Sequence, residues 1–229
     1  MSYIFVIGPC WNNLQTLLNT IQNNKRLVPT IKKFYIPTND INVHNYFCNL
    51  KNPDILSCHF EENKGHQTSC FNAIVSGMKM IIEHDSGDDS CDDSNDIVIF
   101  SHEDVYINDI NLFNNAVSKF ERGYDIVCRL YTGTKKGEPL DYYMNDAFYI
   151  RKSIVKELFA NETMKLILPG NFCEKEFTRI IKDSKIFSIP YYLHSTHKDS
   201  ELGFYHILNY HNGNIPFWDK SNIEKIYNL

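Results

Sequence analysis

The residues best placed for chemistry follow an apolar run. Ile97-Val-Ile-Phe100 is apolar at every position, as expected for a short strand buried on both faces, and it passes at once into Ser101-His102-Glu103-Asp104. Carboxylates at such a junction stand just beyond a rigid strand, where their oxygens can reach a divalent cation. A hard cation held there binds a diphosphate and, as a Lewis acid, stabilises it as negative charge builds on its departure. The same residues also read as a solvated acidic turn at a strand end, and position alone does not separate the two. A second acidic stretch, His84 to Asn95, has neither the Gly at position six nor the Glu at position twelve of a calcium-binding helix-loop-helix, so it reads as a polar surface loop.

A central strand needs neighbours to fix it. Tyr3 to Ile7 reads as another buried strand, after which Asn12 or Asn13 can cap a helix whose Leu14, Leu17, Leu18 and Ile21 keep helical spacing. Lys33 to Ile36 and Asp54 to Phe60 are further strands. Lys64-Gly65-His66 then leads into a helix with Phe71, Ile74, Val75, Met78 and Ile81 on one stripe, expected to end near Glu83. Beyond the acidic junction, Leu112, Phe113, Ala116, Val117 and Phe120 mark another helix, capped by Asn108 or Asp109 and closed by Gly123 before the strand Asp125 to Leu130. A loop from Thr132 to Pro139, a strand from Ala147 to Ile150, a helix capped by Ser153, a helix from Phe172 to Ile181 and an extended stretch from Ile186 to Ile189 complete the pattern. Repeated β-then-α units predict an α/β fold, a mixed but mostly parallel sheet flanked by helices, with ligands at the carboxyl ends of its strands.

Bulk properties narrow the partners. The 229 residues are enough for one domain with a full core. A net charge of -5 without clustered Lys and Arg argues against nucleic acid as the main partner. No apolar run is long enough for a membrane span, and the start of the chain has no signal-peptide pattern. Seven scattered cysteines without a CxxC pair fit free thiols in a reducing compartment, so a cytoplasmic location is expected.

The stretch from about Tyr3 to His197 resembles the GT-A glycosyltransferases of the family 2 type, and Phe100-Ser-His-Glu-Asp-Val105 anchors the likeness. GT-A enzymes carry a DxD motif after the central strand, and some bacterial and viral members look like HxDV instead. Here Ser101 replaces the first Asp. The resemblance implies that Asp104 and Glu103 contact a metal, Mn²⁺ or Mg²⁺, and the donor diphosphate. Lys64-Gly65 through Asn72 is similar to the family's donor-side Gly-to-Asn segment, with Phe71 where an Arg is often found. Asn145-Asp146 through Arg151-Lys152 looks like the acceptor-side segment, with Asp146 facing the site. Phe172-Cys-Glu174-Lys-Glu176 is similar to the ED helix start, whose second acid is the base of inverting members and falls on Glu174.

The chemistry asks for such a group on its own account, because an acceptor hydroxyl must lose its proton as it attacks the anomeric carbon. Glu174 is the first choice, with Asp146 and then Glu176 behind it, and an acid near a helix start also simply stabilises the helix. His194, ahead of His197, stands where a late histidine completes the metal site in many GT-A enzymes. Gly8-Pro9-Cys10-Trp11 lies where the family cradles the nucleoside, and Trp11 reads either as a stacking partner for base or sugar or as a core aromatic.

The resulting expectation is a single GT-A, Rossmann-like domain: a nucleotide-sugar-binding half over residues 1–130, an acceptor half over 131–197 and a C-terminal cover over 198–229. The expected activity is inverting, metal-dependent transfer from a nucleotide sugar, a UDP-sugar first, to a glycan or other hydroxyl acceptor. A non-catalytic carbohydrate- or nucleotide-binding relative is the alternative, because Ser101 breaks the standard motif. A nucleotidyltransferase stands behind it, because Gly8 to Asn13 lacks the Arg- and Lys-bearing phosphate loop that chemistry uses.

Overall fold

The computed structural model describes residues 2–8, 14–60, 66–85, 95–103, 105–135, 138–168, 171–191 and 202–206. In chain order these form β1 (Tyr3–Gly8), α1 (Leu14–Leu27), β2 (Ile31–Thr38), α2 (Ile41–Leu50), β3 (Ile55–His59), α3 (His66–Asp85), β4 (Ile97–His102), β5 (Val105–Ile107), α4 (Ile110–Glu121), β6 (Ile126–Lys135), β7 (Glu138–Tyr143), β8 (Ala147–Arg151), α5 (Lys152–Phe159), α6 (Cys173–Ile181), β9 (Ile186–Tyr191) and β10 (Phe204–His206). An eight-stranded sheet runs β3-β2-β1-β4-β8-β6-β7, with β9 also on β6. The strands β1, β2, β3, β4, β6 and β9 share one direction, and β7 and β8 run against them. The fold is therefore mixed α/β with a mostly parallel sheet.

Both faces of the sheet are covered, which explains why its central strands are apolar throughout. Ile4, Val6, Val98, Phe100, Phe148 and Ile150 point to one side and pack under α3, α5 and α6. The residues between them, Phe5, Ile7, Ile97, Ile99 and Tyr149, point to the other side under α1, α2 and α4. This is the period-two alternation of a pleated strand with an apolar residue at every step. At Gly77 of α3 an added Cβ would lie 2.3 Å from Val6 Cγ1, so helix and strand meet at a distance only glycine permits.

Several local expectations change. The loop expected over 132–139 is mostly strand, because β6 runs on to Lys135 and pairs with β7 from Leu130↔Tyr143 to Lys135↔Glu138. Ser153 does not cap α5, whose N-cap residue is Arg151 and has no side-chain cap. Of the two caps offered for α4, Asp109 serves, accepting from Asn111 N at 2.8 Å and Leu112 N at 3.0 Å. Gly123 takes φ +80° after that helix, as the chain reversal requires. The helix α2, absent from the sequence reading, is capped by Asp40 and buries only Val43 and Phe47.

Candidate active site

The carboxyl edge of the sheet gathers the site. Gly8 ends β1 level with His102 at the end of β4. A Cβ on Gly8 would lie 2.8 Å from Phe100 Cζ and 3.2 Å from Ala73 Cβ, so close packing inside the fold already demands glycine there. After His102 the chain turns back into β5, and Ser101 Oγ closes the turn by donating to the Val105 carbonyl at 3.1 Å. That bond gives Ser101 a structural use in the place of the missing Asp.

Glu103 is not a solvated turn residue, since only 1% of its surface is exposed. Its N–H donates to the Gly8 carbonyl at 3.0 Å, and its own carbonyl accepts from Thr20 Oγ1 at 2.6 Å. Two more α1 side chains hold the far end of the turn, Asn23 donating to the Ile107 carbonyl at 2.8 Å and Asn24 accepting from Ile107 N at 2.9 Å. Thr16, Asn19, Thr20, Asn23 and Asn24 form a buried polar face that the leucine spacing of this helix did not reveal. Asp104, Pro9, Trp11, Gly65, His194 and His197 lie outside the described residues.

The acceptor-side residues converge from the other half of the sheet. β6 carries β9 along one edge and, along the other, β8 and then β7, the change falling at residues 144–146. The chain there bridges two strands, with Met144 N donating to the Arg129 carbonyl at 2.8 Å and His102 N donating to the Asp146 carbonyl at 3.1 Å. Asp146 also forms a salt bridge with Arg129, and both side chains are largely buried. Asn145 is 2% exposed, and its Nδ2 has no hydrogen-bond partner among the described residues. A buried amide left so is uncommon and costly, by about 1–3 kcal/mol, and marks a place where a polar ligand or water belongs.

Glu174 stands in the first turn of α6. Burial raises its pKa above the usual glutamate range, and the charge of Asp146 raises it further, while its own N–H and the Cys173 thiol, 3.4 Å from Oε2, pull it back. Glu174 and Asp146, apart in sequence, are thus electrical neighbours. Glu176 differs. Lys165 at 2.6 Å and Arg179 at 3.1 Å hold its carboxylate, and these contacts lower its pKa.

The donor-side segment is also internally occupied. Asn72 Oδ1 accepts from Lys165 N at 3.0 Å, and Phe71 is fully buried with the Lys165 ammonium 5.1 Å above its ring. Among the described residues, no three His, Cys, Asp or Glu side chains gather to hold a metal ion. The sequence reading placed neither Arg129 nor the Asn145 side chain among its site residues. The first lay in an otherwise apolar strand, where a charge needs a buried partner, and the second beside a residue already singled out.

No protein-family model matches this chain, and no curated protein matches it. Among solved structures, it is similar to the 4-diphosphocytidyl-2C-methyl-D-erythritol synthase of Anaerococcus prevotii, with 9% sequence identity and a TM-score of 0.49 over 82% of this chain and 86% of that one. A likeness at that level says nothing about the reaction. No helix among the described residues is long and apolar enough to cross a membrane.

Proposed function

We propose that this chain is a glycosyltransferase that moves a sugar from a nucleotide sugar to an acceptor hydroxyl, with Glu174 as the base. The observation that supports the reading is a half-buried carboxyl group in the first turn of α6, Glu174, with the Cys173 thiol 3.4 Å from its Oε2 and the charge of Asp146 acting on it. A raised pKa makes Glu174, once ionised, a stronger proton acceptor than an ordinary glutamate. Its carboxylate takes the proton of the acceptor hydroxyl, and the freed oxygen bonds to the anomeric carbon. The bond from that carbon to the diphosphate breaks, and the nucleoside diphosphate leaves with the electron pair. Attack opposite the leaving group inverts the anomeric centre. Arg129 fixes the Asp146 carboxylate, and the Asn145 amide can donate to a substrate oxygen.

A divalent cation at Asp104, Glu103 and His194 belongs to this proposal, and when bound it would stabilise the departing diphosphate. Within that set the described residues include Glu103 alone, and one buried carboxylate does not make a cation site.

The test is nucleoside diphosphate release from a panel of nucleotide sugars, with Mn²⁺ and with a chelator, by wild type and by Glu174→Gln. Loss of turnover by about 10²-fold or more in the variant is expected for a base. Full turnover by Glu174→Gln would remove it from that role. If neither nucleotides nor nucleotide sugars raise the melting temperature or turn over, the non-catalytic relative replaces the enzyme.

A further inference from the structure

The helix that carries Glu174 starts without a cap of its own. Its N-cap residue, Phe172, has an extended backbone (φ -124°, ψ 138°) and makes no side-chain cap bond. A phenylalanine side chain has no oxygen to offer the first N–H groups of the helix. The cap comes from elsewhere in the fold, because Cys173 N donates to Gln67 Oε1 at 2.7 Å, and Gln67 is the second residue of α3. Two further α3 side chains grip the strap that leads into α6. Thr68 Oγ1 accepts from Ile167 N at 3.0 Å and donates to Ile167 O at 3.5 Å, and Asn72 holds Lys165 N. On the opposite side, Thr178 Oγ1 accepts from Tyr143 N of β7 at 2.8 Å and donates to the Glu174 carbonyl at 2.7 Å.

We infer that Gln67 is a positioning residue for Glu174: by capping α6 from α3 it fixes the start of the helix and so the place and basicity of the carboxyl group. The inference rests on the reading of Glu174 as the base. The physical reason is local. Glu174 already turns back on its own N–H group, one residue after the N–H that Gln67 occupies. If the Gln67 oxygen is removed, the Cys173 N–H next to Glu174 loses its acceptor, and an unpaired N–H dipole at the helix start favours the charged carboxylate. If a charge is placed on the capping oxygen, the carboxylate is opposed by a like charge one residue away. The two changes therefore move Glu174 in opposite directions.

The experiment is a carbon-13 NMR titration of protein labelled at the glutamate carboxyl carbons, with the Glu174 signal assigned by its absence in Glu174→Gln. Gln67→Ala is expected to lower the Glu174 midpoint and Gln67→Glu to raise it, each by about half a unit to one unit. Gln67→Glu keeps an oxygen for Cys173 N and so keeps the cap even where Gln67→Ala unfolds. In turnover, Gln67→Ala should lower kcat about tenfold with KM for the donor unchanged, since the loss is of geometry and basicity at the reacting proton. A purely structural cap would lower the melting temperature of Gln67→Ala and leave the Glu174 midpoint unmoved in both variants, which would overturn the inference. Full turnover by Glu174→Gln is a separate result. It would overturn the base, while an unmoved midpoint beside an inactive Glu174→Gln would overturn only the role of Gln67.

Discussion

Two turns at the carboxyl edge are held by two helices, and they are held differently. The turn after β4 rests on α1, whose Thr20, Asn23 and Asn24 reach the backbone at Glu103 and Ile107 from a face that is itself buried. The start of α6 rests on α3, whose half-buried Gln67 and Asn72 and buried Thr68 reach the backbone at Cys173, Lys165 and Ile167. Both ties use neutral side chains on backbone groups, which satisfies the buried polar atoms without placing a fixed charge beside the carboxylates. At the first, Glu103 is sealed from water, and at the second Glu174 stays half-open to it. A sealed turn can hold a backbone in place, and only an open one can meet an acceptor.

The largest effect is expected where the two regions join. Asp146 holds His102 through its carbonyl and Arg129 through its carboxylate. Asp146→Ala leaves a buried guanidinium without that partner and should cost about 3–5 kcal/mol in urea unfolding. Replacing both partners, as Arg129→Met with Asp146→Leu, should recover most of the loss, and failure to recover would assign it to the Ala147 N–H that donates to Asp146 Oδ1 at 3.0 Å.

The next effect separates the two helices. Asn24→Ala strips the acceptor from a fully buried Ile107 N–H and should cost about 1–3 kcal/mol. Gln67→Ala frees an N–H at a half-buried helix start and should cost about 0.5–2 kcal/mol, nearer the lower end. Equal costs in the same unfolding assay would erase the distinction between sealed and open ties.

The smallest effect compares two carboxyl groups on one helix. The folded pKa of Glu174 lies above its unfolded value, so the fold gains from its neutral form, and that gain is lost as pH rises through the raised value. Glu174→Gln should match wild type in acid and melt higher at neutral pH. Glu176 has a lowered folded pKa, so its contribution is present above the ordinary glutamate range and disappears as pH falls through the lowered value. Glu176→Gln should melt slightly lower at neutral pH, by no more than about 1 kcal/mol for so exposed a network, and converge with wild type in acid. Melting curves across the acid-to-neutral range check both, and curves that move in the same sense would contradict the electrostatic contrast.

Much of the fold was legible because burial leaves a period in the sequence. β1 and β4 show unbroken apolar runs, and α3 and α4 show apolar stripes, each the imprint of a face that must leave water. The elements that escaped bury little or are short. β5 and β10 have three residues each and, among the described residues, pair only with each other, and β7 mixes Pro139 with acidic residues in the manner of an edge strand. α2 had a readable cap in Asp40 but only two buried side chains to give it a stripe.

The site divides in the same way. Sequence by itself set the strand Ile97 to Phe100 that leads into Ser101-His102-Glu103, the acid at the start of α6 and the neutral and acidic pair Asn145-Asp146, because those depend on neighbours along the chain. Only the tertiary structure decided that Glu103 is buried, that Arg129 belongs to Asp146, that Glu174 feels Asp146 and that Gln67 caps a helix from which it is remote in sequence. Those facts depend on strand order and register, which bring together groups that no local spacing relates, and a pKa or an unmade hydrogen bond exists only once that packing has removed the water.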